Sequence, residues 1–237
     1  MLSAPGCFTM TGAPIYVIVG APRSGTSALA LSFKEQGIPM FVDADPPDRQ
    51  SPSGNQEDRQ VRLLNNALMG ENGLGELRDW DNPHYAGSTT PKAARLIGAY
   101  VAARSGHAGR AAWGVKDPRL CFLIEPWHAA TQGLPVSWIY IHRVNREASI
   151  GSLIQMLPEK LRDAGDSDSL YRLASNWLES YHLASQLGFH RAGIEPYRIT
   201  YESLLTSAGQ EEIAAHFGFR APIRCIDPRL NRQARTA

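Results

Sequence analysis

The chain has 237 residues, of which 43% are hydrophobic, and its formal net charge is +1. A chain of this size and composition can bury a substantial core in one α/β domain. The near balance of charges excludes a global attraction to nucleic acid or to an anionic membrane, so we expect neither partner and expect any anion recognition to be local. No segment approaches the length of a transmembrane helix and the N-terminus lacks the pattern of a secretory signal, so we expect a cytoplasmic protein.

Four short apolar runs predict β-strands, and helical patterns alternate with them along the chain. The predicted strands cover residues 15–20, 111–116, 136–142 and 197–201. Helical spacing of apolar residues predicts helices over residues 26–36, 57–69, 91–104, 120–130, 147–156, 170–187 and 211–217. Continuous apolar strands that are joined by helices are typical of a sheet buried on both faces, so the expected fold class is three-layer α/β/α with a central, mainly parallel sheet.

Several segments lack a strand or helix pattern. Residues 41–55 are rich in Asp, Pro and Ser and predict a surface loop, and the polar residues 158–169 predict a mobile lid. Residues 1–13 carry little pattern, so we expect a flexible N-terminal extension followed by a single domain over residues 14–237. The widely spaced cysteines have no metal-binding pattern beside them and predict reduced thiols, the second of them in the core: Cys7, Cys121 and Cys225.

The first predicted strand ends in a sequence that is typical of a phosphate-binding loop. Gly20 and Gly25, followed by hydroxyl side chains, have the glycine spacing of the Walker A loop, and the main-chain N–H groups of such a loop bind anions together with the positive end of the next helix. Thr26 stands where the Walker lysine would be, and the basic residue is Arg23. Kinases use that lysine to reach the β- and γ-phosphates, so a P-loop kinase with Asp117 as its Mg²⁺ ligand is an alternative and not the leading interpretation.

The Pro-Arg-Ser-Gly-Thr loop resembles the 5′-phosphosulfate loop of sulfotransferases that use 3′-phosphoadenosine 5′-phosphosulfate (PAPS). The resemblance implies a P-loop-type α/β/α fold with PAPS as sulfuryl donor and no metal. It also implies that Arg23 contacts the oxygen bridging phosphate and sulfate, because arginine stays charged and can stabilise a leaving group. The residues implied to hold the 5′-phosphate are Ser24, Gly25, Thr26 and Ser27.

A second element follows the third predicted strand, where SWIYIHR delivers Arg143 to the edge at which ligands bind in open α/β sheets. It resembles the 3′-phosphate-binding element of sulfotransferases, in which an arginine and a serine about two helical turns later clamp the phosphate. The family spacing places the serine at Gly151, which is flanked by Ser149 and Ser152 on one helix face. Both serines are therefore candidates, with Ser152 first; the alternative is that Arg143 and the serines only face solvent.

Further segments occur in the order found in bacterial members of this family, and they support the same resemblance. They are residues 54–68, 113–127 with a Lys-Asp-Pro-Arg element, 199–205 with a Tyr-Glu-x-Leu-Leu element, and the weaker 226–232. The resemblance implies transfer of a sulfuryl group to the hydroxyl or amine of a small molecule, glycan or peptide. A non-catalytic nucleotide-binding protein that has kept the loop is the remaining alternative.

The acceptor hydroxyl needs a general base, and a carboxylate at this sheet edge can serve. Glu57 is the first candidate, although a glutamate in the first turn of a helix also interacts favourably with the helix dipole. Asp117 is the second, and its alternative is a buried ion pair with Lys116 or Arg119. Tyr201, at the end of the fourth predicted strand, is a candidate nucleotide-binding residue that could equally pack in the core.

Overall fold

The computed structural model describes residues 12–44, 55–71, 90–157, 159–220 and 223. In this part of the chain, four strands pair in parallel in the order β2-β1-β3-β4. The strands are β1 (Ile15–Val19), β2 (Trp113–Lys116), β3 (Val136–His142) and β4 (Tyr197–Thr200). The predicted strands and the parallel sheet are confirmed, with strand ends that agree to within two residues.

Helices connect and follow the strands. They are α1 (Thr26–Glu35), α2 (Arg59–Glu71), α3 (Pro91–Ala108), α4 (Leu120–Ala130), α5 (Arg146–Met156), α6 (Glu159–Ala164), α7 (Ser167–Ala192) and α8 (Ser207–Phe217), with a 3₁₀ helix at Glu202–Leu205. The prediction that residues 158–169 are irregular is wrong over most of the segment, because α6 and the start of α7 occupy it. Glu159, Lys160 and Arg162 are good helix formers without apolar periodicity, and Asp166 caps α7 by accepting a hydrogen bond from Ser169 N at 2.9 Å.

Two layers of helices cover the sheet, as predicted. Val17 and Val19 of β1 lie in one apolar cluster with side chains of α2, α3, α4, α5 and α7, including the buried Trp177. Ile18 lies in the other cluster with α1 and α8, where Phe33 is fully buried. The alternation of β1 side chains between two cores explains why the strand is apolar throughout its length.

The strand order creates a crevice above the centre of the sheet. The chain runs from β1 to β2 on one side and then returns to β3 on the other side of β1. The carboxyl ends of β1 and β3 therefore flank the point where the strand order reverses, which is where doubly wound α/β folds bind their ligands. The predicted phosphate loop follows β1, and Arg143 follows β3.

Other sequence predictions have mixed outcomes. Cys121 is a fully buried free cysteine, as predicted, whereas Cys7 and Cys225 lie outside the described residues. Val42 and Asp43 are exposed, as expected at the start of the predicted surface loop, and residues 45–54 lie outside the described part, as do residues 1–11 of the expected N-terminal extension. None of the described helices is long and apolar enough to cross a membrane.

Candidate active site

The loop after β1 owes its shape to glycine and to left-handed backbone. A side chain at Gly20 would collide with the carbonyl oxygen of Ile141 in the neighbouring strand. Arg23 and Gly25 have φ angles of 66° and 93°, and a side chain at Gly25 would collide with the Tyr201 ring. The tight turn at the end of β1 therefore requires its glycines for two different close approaches.

The serines of the loop bind main-chain oxygens. The buried Ser24 hydroxyl donates to Ala21 O at 2.5 Å, and the Ser27 hydroxyl donates to Asn55 O at 3.1 Å. Helix α1 begins directly after Gly25, and no side chain among the described residues caps its N-terminus. The N–H groups of this first helical turn are thus available to an anion, while the serines hold the loop in shape.

Arg23 connects the loop to the second predicted element. Its Nε donates a 2.8 Å hydrogen bond to Ser152 Oγ on α5. Ser149 lies one turn earlier on α5 and is buried, whereas Gly151 is exposed. Of the two candidate serines, Ser152 is the one that the structure joins to the predicted phosphate loop.

Arg143 lies directly after β3 and packs on Tyr201. Its guanidinium carbon is 4.7 Å from the centroid of the Tyr201 ring, a cation–π geometry. The Arg143 Nε is buried and has no hydrogen-bond partner among the described residues. The main-chain N–H of Tyr201 donates to His142 O at 2.7 Å, which continues the β3–β4 pairing. Tyr201 therefore contacts both predicted phosphate-binding elements, at Gly25 and at Arg143.

Sequence reasoning assigned no role to Glu202, the acidic residue of the Tyr-Glu-x-Leu-Leu segment. Its carboxylate accepts hydrogen bonds from Val144 N at 3.0 Å and from Asn145 N at 3.1 Å. Partial burial raises its pKa, but these two N–H groups and the nearby Arg143 charge outweigh that effect, and the pKa is lowered. The carboxylate is thus held ionised at the turn that carries Arg143.

The two candidate bases belong to a buried cluster of four charges at the end of β2. Lys116 Nζ donates to Glu57 Oε1 at 2.8 Å and to Asn55 O at 2.9 Å. Arg119 Nη1 is 3.7 Å from Glu57 Oε2 and 3.0 Å from Asp117 Oδ1. The two cations balance the two carboxylates, which is the arrangement that buried ionic groups require.

Asp117 is the more enclosed of the two carboxylates, and its side chain has no exposed surface. Both of its oxygens accept hydrogen bonds from Arg119, whose Nε also donates to Asn66. Burial raises the pKa of Asp117, the Arg119 charge lowers it, and Glu57 raises it further, with a net increase. This geometry matches the buried-pair alternative for Asp117.

His142 faces away from Arg143, as strand alternation predicts. Its ring stacks on Tyr140 with centroids 5.7 Å apart, and the Tyr140 hydroxyl lies 2.6 Å from His182 Nδ1. Burial lowers the pKa of both histidines. Among the described residues, no group of three or more His, Cys, Asp or Glu side chains could hold a metal ion.

Comparisons with known proteins support the fold. No protein-family model and no curated protein sequence matches the chain. A solved structure titled sulfotransferase domain from the curacin biosynthetic pathway matches with a TM-score of 0.52 and 16% identity, covering 91% of this chain and 77% of that one. The sulfotransferase domain of the Synechococcus PCC 7002 olefin synthase matches with a TM-score of 0.49 and 17% identity, covering 92% and 76%. The first of these likenesses and the sheet topology together show a P-loop-type α/β fold that is shared with a sulfotransferase domain.

Proposed function

We propose that this protein is a sulfotransferase that moves a sulfuryl group from PAPS to a hydroxyl or amine of an acceptor. The observation that carries the proposal is the Arg23–Ser152 hydrogen bond. It joins the two segments whose sequences resemble the 5′- and 3′-phosphate-binding elements of PAPS-dependent enzymes. The fold shared with a sulfotransferase domain supports the same interpretation.

The residues at the crevice fit a nucleotide with phosphates at both ends. At the β1 end, the uncapped N-terminus of α1 and the guanidinium of Arg23 suit a 5′-phosphate. At the β3 end, the buried Arg143 Nε has no hydrogen-bond partner among the described residues. An unsatisfied buried N–H is costly, and a 3′-phosphate oxygen would supply the missing acceptor.

In the phosphate loop, the serine side chains and the main-chain N–H groups have different roles. Ser24 and Ser27 donate to main-chain oxygens, so phosphate recognition falls mainly to main-chain N–H groups, with Gly25 and Thr26 at the start of α1. PAPS supplies a sulfuryl group attached to a phosphate, and negative charge grows on that phosphate when the group leaves. The Ser152 bond fixes the Arg23 Nε and so orients a permanent positive charge for that oxygen.

Glu57 is the proposed general base. The acceptor hydroxyl loses its proton to Glu57 as its oxygen bonds to sulfur, and the bond between sulfur and the phosphate oxygen breaks with its electron pair left on the oxygen. Lys116 binds Glu57 Oε1, whereas Oε2 is 3.7 Å from Arg119 Nη1, beyond hydrogen-bond distance, and is the oxygen we assign to the acceptor. Asp117 orients Arg119 beside this base.

The kinase alternative would use Asp117 as a Mg²⁺ ligand. Both oxygens of that carboxylate already accept hydrogen bonds from Arg119, so a cation would have to displace a buried guanidinium. This geometry favours the metal-free reaction over phosphoryl transfer.

Nucleotide selectivity tests the proposal without a known acceptor. Thermal unfolding is measured with 3′-phosphoadenosine 5′-phosphate (PAP), with AMP, and with ATP plus Mg²⁺, on the wild type, Arg143→Ala and the control Arg146→Ala. Arg146 is a suitable control because it is half-exposed and pairs with Glu179 on the surface. We expect stabilisation by PAP without Mg²⁺ that is lost only in Arg143→Ala. Stabilisation only by ATP with Mg²⁺ would favour a kinase, and no response would favour a protein without this nucleotide site.

Turnover then separates an enzyme from a binding protein. Incubation with PAPS and a panel of phenols, sugars and amines should release PAP only with a competent acceptor. PAP binding without turnover on any acceptor would favour a non-catalytic nucleotide-binding protein.

A further inference from the structure

We propose that Glu202 is a positioning residue for recognition of the 3′-phosphate, acting through the main chain on Arg143 and on the start of α5. The inference rests on the proposed function, because it concerns the same nucleotide site. Glu202 makes its two main-chain contacts at the turn between β3 and α5, at the neighbours of Arg143.

Besides its contacts with Glu202, the turn between β3 and α5 is held by the packing of Arg143 on Tyr201 and by the Asn145 cap of α5. It consists of Arg143, Val144 and Asn145, and the side chains of Val144 and Asn145 are exposed. Exposed turn residues without packed side chains depend on main-chain hydrogen bonds for a defined conformation. The Glu202 carboxylate binds both N–H groups that follow Arg143 and thereby fixes the direction in which the chain leaves the strand.

Glu202 is itself firmly anchored. The 3₁₀ helix that contains it carries the fully buried Leu204. Ser203 N donates to Thr200 Oγ1 at 3.1 Å at the start of this turn, and Gln210 Nε2 on α8 donates to Leu204 O at 2.7 Å. The Glu202 carboxylate thus ties the turn between β3 and α5 to a 3₁₀ helix that is anchored in the core.

The same contacts reach the serine of α5. Asn145, which donates its N–H to Glu202, caps α5 by accepting a hydrogen bond from Ala148 N at 3.0 Å. Helix α5 carries Ser152, which binds Arg23. Glu202 therefore sets the position of Arg143 through the main chain that follows it, and that of Ser152 through the helix start.

The charge of Glu202 does not argue for direct ligand contact. A carboxylate beside a phosphate would be repulsive unless its charge were neutralised. The Glu202 carboxylate is neutralised by two main-chain N–H groups and by the nearby Arg143 charge, as its lowered pKa indicates. It can therefore lie near a phosphate without binding it. A role through Arg143 is consistent with this geometry.

The test compares the affinities of PAP and AMP by titration calorimetry for the wild type, Glu202→Gln, Glu202→Ala and the control Glu195→Gln. Glu195 is a strongly exposed carboxylate that is 3.5 Å from Arg198. The amide in Glu202→Gln retains only one acceptor oxygen, so one of the two N–H groups loses its partner. We expect Glu202→Gln to reduce the PAP-over-AMP preference by about tenfold, on the order of one charge-assisted hydrogen bond, and Glu202→Ala by more.

The ratio of the two affinities separates positioning from general stability. A merely structural role of Glu202 would weaken the binding of PAP and of AMP equally. If the wild type prefers PAP over AMP and Glu202→Gln keeps the same affinity ratio, the inference is overturned and the proposed function is left intact. A wild type that does not prefer PAP over AMP would overturn the proposed function, and the inference with it. If Glu202→Ala does not fold, amide hydrogen exchange at Val144 and Asn145 in Glu202→Gln serves instead: faster exchange there is expected, and unchanged exchange contradicts the inference.

Discussion

Arg23 and Ser152 lie 129 positions apart in the sequence, and they share a 2.8 Å hydrogen bond across the crevice between β1 and β3. The bond exists because the strand order places the two loops side by side at the carboxyl edge of the sheet. It follows that a hydrogen bond joins the 5′ and 3′ halves of the proposed nucleotide site.

The first prediction concerns the energetic coupling of these two residues. Arg23→Ala and Ser152→Ala should each weaken PAP binding, and the double variant should lose less than the sum, with a coupling of about 1 kcal/mol, the usual value for one hydrogen bond. Calorimetry on the four proteins measures this coupling.

Ser180→Ala is the matched control for Ser152→Ala, since the Ser180 hydroxyl donates to Asn176 O within α7. It should leave PAP affinity unchanged. Strictly additive losses in the Arg23 and Ser152 variants would show that the hydrogen bond contributes nothing to the site.

The second prediction concerns Gly25. Its φ of 93° disfavours any side chain, and an added methyl group would collide with the Tyr201 ring. Gly25→Ala should therefore lower the free energy of unfolding by about 2 kcal/mol or more and abolish PAP binding. Urea denaturation measures the stability change.

Gly37→Ala separates the two causes of this loss. Gly37 also has a positive φ, of 80°, but nothing lies within 4 Å of its added carbon. Gly37→Ala should lower the free energy of unfolding by about 1 kcal/mol, through backbone strain alone, and should leave PAP binding intact. Equal losses at both positions would mean that the Tyr201 contact is irrelevant.

The fold was predictable because its signals are local. Each strand is a short segment rich in apolar residues, and each predicted helix has apolar periodicity, so their alternation identifies the parallel sheet. Helix α6 was missed because its six residues, with one leucine among mostly charged side chains, carry no such periodicity. Its identity as a helix depends on residue propensity and position between α5 and α7.

The site was predictable only in part because several of its contacts use main-chain atoms. Arg23 and Arg143 stand out as charged residues at strand ends. The carbonyl of Asn55, which binds both Ser27 and Lys116, has no side-chain signature, and neither have the N–H groups that bind Glu202. The Tyr-Glu pattern at the end of β4 is the signal that could have identified Glu202.

The third prediction concerns the buried charges beside Glu57. Lys116→Met removes the cation that lies 2.8 Å from Glu57 and leaves a carboxylate buried without its closest partner. Breaking a buried pair in this way should lower the free energy of unfolding by about 3 to 5 kcal/mol. Chemical denaturation at neutral pH measures the loss.

The double variant Lys116→Met with Glu57→Gln tests the cause. Removing both charges should restore part of the lost stability, because the unpaired carboxylate is gone. A double variant less stable than Lys116→Met would show that Arg119, 3.7 Å from Glu57, is enough to stabilise the carboxylate once the lysine is gone.

The fourth prediction concerns the pH dependence of stability. Burial lowers the pKa of His182, and the His142 and Arg146 charges lower it further, against the opposing effect of Glu179. Burial likewise lowers the pKa of His142 below 6.5. Between the lowered values and 6.5, the unfolded chain binds protons that the folded chain does not, so stability is full above pH 6.5 and falls as the pH drops through the folded-state pKa values.

Thermal unfolding between pH 5 and pH 8 should therefore show a slope of up to about 1.4 kcal/mol per pH unit for each histidine involved. His182→Gln should flatten this slope, and it should also lower stability at pH 8 because the 2.6 Å contact with the Tyr140 hydroxyl is altered. His190→Gln, at an exposed position near the end of α7, is the control and should keep the wild-type slope. An unchanged slope in His182→Gln would assign the acid sensitivity to His142 or to other groups. The His182 ring binds Tyr140 on the face of the sheet opposite Arg143. PAP affinity at pH 8 should therefore be the same in the wild type, His182→Gln and His190→Gln.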